Sequence, residues 1–240
     1  MSDQIVIDRR FRGPPDSGNG GYTCGLVAAR VDGPAEVTLR LPPPLEEPLT
    51  VAPADGGSVC VLEGDALVAE GVQRDYERLG IDVPEPVSVV DAERAAAGSQ
   101  LHEHPEEHPF PTCFVCGPQR APDDGLRILV GPVPGRSVAA DTWTPAADLA
   151  GADGVVRPEF VWAALDCPTG FALLEAFGRR KVSLNQVTAH LIRPLPVGAR
   201  WIVMGWPFAA EGRTLLGASA IFSESGELHA LASAVLACAD

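Results

Sequence analysis

Asp166 lies in the run Phe160-Val-Trp162-Ala-Ala-Leu-Asp166-Cys-Pro-Thr169-Gly, where Phe160, Ala163, Ala164, Cys167, Phe171 and Leu174 recur at helical spacing. A carboxylate at the edge of such an apolar face loses hydration. Its pKa rises, and it becomes fit to serve as a general base. Thr169, on the same flank, offers a water held there a second polar contact. Asn19-Gly20-Gly21 stands just before Leu26-Val27-Ala28-Ala29. The first N–H groups of a helix are unpaired and sit at the positive end of its dipole, so they can hold a developing oxyanion. Glycines there let a reacting carbonyl come close. Each motif also has a structural reading. Asn19 is a good N-cap. Pro168 disrupts an interior helix, so Asp166 or Cys167 could cap a second segment at 168–177.

A second group of chemistry-bearing residues has the spacing H-x-H-x3-H-x4-C-x2-C: His102, His104, His108, Cys113 and Cys116. Two thiolates and two imidazoles could hold a tetrahedral zinc. Alternatively, the cysteines form a hydrogen-bonded turn and the histidines belong to a linker.

These residues need elements to position them. Residues 20–31 and 157–177 read as helices, the second with Pro158 in its first turn. Strand-like runs follow each helix, at 35–41, 49–52, 58–62 and 66–72, and at 182–192, 199–208, 213–223 and 227–238. Leu41-Pro-Pro-Pro44-Leu45 parallels Leu191-Ile-Arg-Pro194-Leu195, and Gly64-Asp-Ala-Leu parallels Gly226-Glu-Leu-His. The simplest organisation is a duplicated helix-then-meander unit, α+β in class, with a shorter and more diverged first copy. The expected boundaries are 1–90, a linker at 91–111, and 112–240. Residues 91–99 form a short Ala-rich helix in that linker, and 100–111 carry three His, three Glu and three Pro.

Composition bounds the function. The chain has 240 residues, 18 basic and 32 acidic, for a net charge of −14. Such a balance argues against nucleic-acid or anionic-membrane partners. Lys181 is the single lysine. The N-terminus has no apolar signal core, and the longest weakly polar stretch, 228–239, is too short to cross a bilayer. Six scattered cysteines read as reduced thiols, so a cytoplasmic location is expected.

The helix-then-meander pattern, with Arg193-Pro-Leu-Pro-Val-Gly198 and the closing turn Glu224 to Leu228, resembles the hotdog fold of acyl-CoA thioesterases. Cys113-Phe-Val-Cys116-Gly117 followed by Gly125-Leu126 is similar to the opening of the phenylacetyl-CoA thioesterase-like branch, as are 187–198 and 212–237 to its later strands. A tandem of two such units resembles acyl-CoA thioesterase II. The resemblance implies a double hotdog: two antiparallel sheets, each wrapped around a helix, in an intrachain pseudo-dimer. It implies hydrolysis of an acyl- or aryl-CoA thioester, or an acyl-carrier thioester, without a cofactor or metal. Asp166 would activate the water, Thr169 would assist, and N–H groups at Asn19, Gly20 and Gly21 would hold the oxyanion. Tyr22 and Trp162 would line the acyl pocket. Ser183, Asn185 and Gln186 would stand in for polar partners, because the thioesterase II glutamine has no counterpart here. Arg193 and Arg179-Arg180-Lys181 are candidates for CoA phosphates, although basic residues after a helix also complement its dipole. The first helix carries the glycines without an acid and the second the acid without glycines, so a pseudo-dimer would keep one composite site. A non-catalytic binder of acyl-CoA or a small hydrophobic ligand is the alternative on the same fold. A further homodimer is left open.

Overall fold

The computed structural model describes residues 3–74, 80–99, 102, 104–178 and 182–238. Eleven strands make one continuous sheet: β1 Gln4–Val6, β2 Ala35–Leu39, β3 Pro48–Pro53, β4 Val59–Glu63, β5 Ala66–Gln73, β6 Gly131–Pro132, β7 Ala139–Trp143, β8 Val182–Leu191, β9 Trp201–Glu211, β10 Thr214–Ser223 and β11 Leu228–Cys238. The order is β1-β3-β4-β5-β2-β8-β11-β10-β9-β7-β6, and every pairing is antiparallel. The expected two sheets are therefore a single one. They are joined where β2 meets β8 in the register Ala35↔Ala189, Glu36↔Thr188, Val37↔Val187 and Thr38↔Gln186. The Gln186 amide donates to Thr38 Oγ1 across this seam at 3.0 Å.

Outward from the seam the two flanks repeat each other. On one side run β2, β5, β4, β3 and β1; on the other run β8, β11, β10, β9 and β7. Each flank's helix precedes its seam strand: α1, Gly20–Ala28, before β2, and α3, Pro158–Phe177, before β8. The turns at Gly64 and Gly226, which link the matching hairpins, both take positive φ, 58° and 85°. The strands β1 and β7 went unread in the sequence because three and five residues give period-2 alternation too little length.

α1 and α3 lie against each other in the main core. Both are apolar all round, the signature of helices buried on every side. By length and composition α3 is the one described helix that could cross a bilayer. Here it is the central helix, packed on α1 and on β8 to β11. Glycines in α1 permit the approach: a Cβ on Gly25 would stand 2.6 Å from Glu159 Cα, and one on Gly21 would stand 2.7 Å from the Trp162 carbonyl.

Pro168 stays inside a continuous α3, so neither Asp166 nor Cys167 caps a second helix, correcting that reading. The surroundings absorb the proline. Thr169 Oγ1 and Ser219 Oγ donate to the Leu165 carbonyl at 3.1 and 2.5 Å, and the Pro168 carbonyl fits over Gly205 of β9, where a Cβ would come within 2.2 Å.

The helix expected near residues 91–99 is α2, Val89–Ala97, capped by Ser88 and ended at Gly98. It covers the sheet face opposite α3. Its Ala92 and Ala95 pack with Ile202, Met204, Trp206, Ala218, Ala220 and Phe222, whereas Val203 and Ile221, alternating with these, belong to the α3 side. With both faces covered, Trp201–Trp206 is buried without a break, as a doubly covered strand requires.

Candidate active site

The N-terminus of α1 is held from outside the helix. Asn19 N–H donates to the Phe11 carbonyl at 2.8 Å and Gly18 N–H to Pro43 at 2.9 Å. The Asn19 Oδ1 accepts from Tyr22 N–H at 2.8 Å, which is the expected N-cap. Its Nδ2 points the other way, to Asp166 Oδ2 at 3.2 Å. Gly21 N–H reaches the same oxygen at 2.9 Å. A Cβ on Gly21 would lie 2.5 Å from Asp166 Cβ, so only glycine lets the two helices bring these groups together.

Asp166 is thus a buried carboxylate seated on a helix N-terminus contributed by the other half of the chain. Burial pushes its pKa up to about 7, against the opposing pull of the Gly21 N–H and the Asn19 amide, while Cys113 pushes it further up. Half its population can accept a proton near neutrality, the condition for an efficient general base. Gly20, one residue earlier, lines the adjoining space, and its N–H makes no hydrogen bond among the described residues. Of the two glycines expected to face an oxyanion, Gly20 keeps a free donor and Gly21 spends its own on Asp166.

That space is a cavity of about 330 Å³. It lies between the two halves: Gly18, Asn19, Gly20 and Leu39 to Pro43 come from the first, and Asp166, Cys167, Phe171, Leu174, Val182 to Asn185 and Leu236 from the second. The segment Pro109, Phe110, Cys113 and Cys116 closes a further side. Its wall is mostly apolar, with the carboxylate and the helix N-terminus at one point. Such a cavity takes an apolar group and offers its polar end one reactive spot.

The structure brings Asn19, Gly20, Gly21 and Asp166 together and sets Ser183 and Asn185 on the cavity wall. Other expected site residues lie elsewhere. Tyr22 is in an aromatic core, stacked on Phe11 with centroids 4.3 Å apart and close to Phe114 and Phe160. Trp162 is buried in the helix-helix contact and does not line the cavity. Thr169 is fully buried and gives its hydroxyl to Leu165. Arg193 is on the surface, paired with Glu227 at 2.9 Å, beside a separate shallow hollow. Helical spacing puts Trp162 and Thr169 on one flank of an apolar helix, but core and pocket walls give the same pattern. Arg179, Arg180 and Lys181 lie outside the described residues. Among the described residues the cation on the cavity wall is Arg40, paired with Glu70 just past β2, in the run 35–41 that the sequence marks only as a strand.

Of the histidine–cysteine group, His102 and His104 are exposed, and His104 Nδ1 meets Glu106 at 3.4 Å. His108 is buried, with Nδ1 accepting from Phe110 N–H at 2.9 Å and its ring against Phe171. Cys113 and Cys116 are buried beside the cavity with Cys167, the residue after Asp166, whose part in such a group the linear spacing concealed.

No known sequence family matches the chain, and no curated protein does. Solved structures do match its fold. A putative thioesterase from Novosphingobium aromaticivorans superposes with a TM-score of 0.61 at 13% identity, covering 99% of this chain and 95% of that one. The tesB protein of Mycobacterium avium subsp. paratuberculosis gives 0.60 at 13%, covering 99% and 92%. An acyl-CoA thioesterase II, TesB2, from Mycobacterium marinum gives 0.57 at 16%, covering 98% and 92%. The chain therefore has the hotdog fold of the thioesterase II proteins along nearly its whole length.

Proposed function

We propose that this protein hydrolyses an acyl- or aryl-CoA thioester in the cavity between its halves. The observation that carries the reading is the Asp166 carboxylate, buried on the N-terminus of α1 at the wall of an apolar cavity, with the Gly20 N–H free beside it. Asp166 takes a proton from a water. The hydroxide adds to the thioester carbonyl carbon, and the oxyanion is held by the Gly20 N–H at the positive end of α1. The C–S bond then breaks, and the leaving thiolate recovers the proton from Asp166. The acyl group lies along Phe171, Leu174, Leu184 and Leu236. A carrier-protein thioester presents the same reacting carbon.

In this reading the chain is an intrachain pseudo-dimer of units 1–90 and 112–240, joined through 91–111, that keeps one site of two. At the offset where α3 carries Asp166, eight residues past its first, α1 carries Ala28, and α3 opens on Arg157-Pro158 in place of Asn19-Gly20. The pairing of Gly21 with Asp166 across the two helices supports a composite site. A cytoplasmic enzyme using soluble thioesters accords with the net charge of −14.

The test is thiol release from short, long and aromatic acyl-CoAs, wild type beside Asp166→Asn. Loss of a general base costs about 10²–10⁴-fold. A fall of at least about 100-fold in kcat, with KM little changed, is the expected result. Saturable acyl-CoA binding without hydrolysis by either protein would make this fold a ligand binder instead.

A further inference from the structure

The sulfurs of Cys113, Cys116 and Cys167 lie within 4.8 Å of one another, and all three residues line the cavity. We propose that they form a trithiolate site for a thiophilic d10 cation of the zinc class, with its fourth coordination position open to the cavity. This site does not depend on the hydrolytic reading above.

Three observations lead to it. The first is dimensional. Zinc–sulfur bonds of about 2.3 Å at tetrahedral angles put ligand sulfurs about 3.8 Å apart. Cys113 Sγ and Cys167 Sγ are 3.8 Å apart. That is nearly twice the length of a disulfide bond, so the pair is spaced for a shared cation more closely than for a covalent link.

The second is the loop. Cys113-Phe-Val-Cys116-Gly117 is a tight turn closed by Gly117 N–H donating to the Cys113 carbonyl at 2.9 Å. A Cβ on Gly117 would come within 2.4 Å of that carbonyl, so the turn needs glycine there. The Asn19 amide lies 3.8 Å from the Cys113 sulfur. The turn is fixed at both edges, by Phe114 N–H to Arg12 and Leu126 N–H to Phe114, so the sulfurs are held in place before any cation arrives.

The third is the third ligand. Cys167 comes from α3, fifty-four positions away, and meets the turn at its first cysteine. Three convergent thiols at the wall of a cavity, all unoxidised, fit the three-protein-ligand arrangement that leaves a position for an exogenous group. The buried His108 Nε2, in the segment leading to the turn, has no hydrogen-bond partner.

The test uses the full chain, reduced with a phosphine and stripped by chelator, then titrated with Zn²⁺ against a chromophoric competitor and separately with Co²⁺. One equivalent of metal should bind, with the near-ultraviolet thiolate-to-Co²⁺ charge transfer and the visible bands of tetrahedral cobalt. Cys167→Ser should weaken binding by at least about 100-fold, beyond the 10–100-fold typical of losing an outer-shell partner, and remove about a third of the charge-transfer intensity. Adding a small thiol to the Co²⁺ protein should increase that intensity, since it fills the fourth position. Substoichiometric binding without charge transfer overturns the site. A Cys167→Ser protein with unchanged affinity and intensity overturns the third ligand, and a spectrum indifferent to added thiol overturns the open position. Should Cys113→Ser or Cys116→Ser fail to fold, the wild-type cobalt spectrum and Cys167→Ser still decide.

Discussion

Asn19 accepts from the Tyr22 N–H through Oδ1, while Nδ2 on the opposite side donates to the Asp166 carboxylate and lies farther from the Cys113 and Cys167 sulfurs; the two sides can be separated by substitution. Asn19→Ser keeps a side-chain oxygen able to cap α1, because serine is about as good an N-cap as asparagine. Its hydroxyl is too short to reach Asp166. The lost bond is to a charged acceptor at 3.2 Å, a class worth about 1.5–3 kcal/mol, which is about 1–2 pKa units. That bond stabilises the ionised carboxylate, so its loss moves the Asp166 pKa upward, from about 7 to about 8–9. At pH 7 the ionised fraction falls from about one half to between about 0.09 and 0.01, and the rate falls about 5–50-fold. The measurement is kcat/KM against pH for both proteins, in chelator and phosphine so that the neighbouring thiols stay reduced and metal-free. The acidic limb should shift up by about 1–2 pH units, while the high-pH plateau is retained. Superimposable limbs, or a uniform loss at every pH, would refute the view that this amide tunes the base.

Four other outcomes follow from the same geometry. A carboxyl whose folded pKa is raised from 3.8 to about 7 is more protonated in the folded chain than in the unfolded one, so its contribution is fully favourable below about pH 4 and is lost as pH rises through about 7. Asp166→Asn should therefore unfold at higher urea than wild type at pH 8, by up to about 4 kcal/mol, with the difference vanishing near about pH 4. Gly21→Ala forces a Cβ to 2.5 Å from Asp166 Cβ and should cost about 1–3 kcal/mol in urea unfolding, with kcat falling as the helices part. Phe171→Ala, on the cavity wall, should shift kcat/KM toward bulkier acyl groups by about tenfold relative to short ones, read from the substrate panel. Tyr22→Phe, in the aromatic core and away from the cavity, should leave the substrate preference unchanged, which direct comparison of kcat/KM ratios would check.

Much of this arrangement was legible in the residue order. Long apolar segments with clear turn signals located α1, α3 and most strands, because periodicity and glycine punctuation are local properties. Asn19-Gly20-Gly21 and Asp166 stood out because a carboxylate in an apolar helix and glycines before another are costly, and the structure brings them into contact. What the order could not convey was which surfaces meet. Tyr22 and Trp162 have the composition of pocket residues, but the crossing of α1 over α3 turns them into the core. Arg193 follows a strand in the way a phosphate ligand would, yet the strand carries it to the outer surface beside Glu227. Pro168 argued for a helix break, yet α3 runs through it unbroken, with Gly205 of β9 leaving room for its carbonyl. Cys167 gained its importance from a turn fifty-four residues earlier.

The contact between α1 and α3 also governs how the chain reaches its folded state. α1 is wrapped in apolar residues, and much of its cover arrives with Pro158–Phe177, about 130 residues later. During synthesis at about 5–20 residues per second, the first half spends roughly 7–26 s with that surface and the open edge of β2 waiting for partners that do not yet exist. The β2–β8 seam lies across a comparable distance in sequence, so folding begins late and is dominated by non-local contacts. Truncations that end before α3 should accumulate in the insoluble fraction, not as a smaller folded unit.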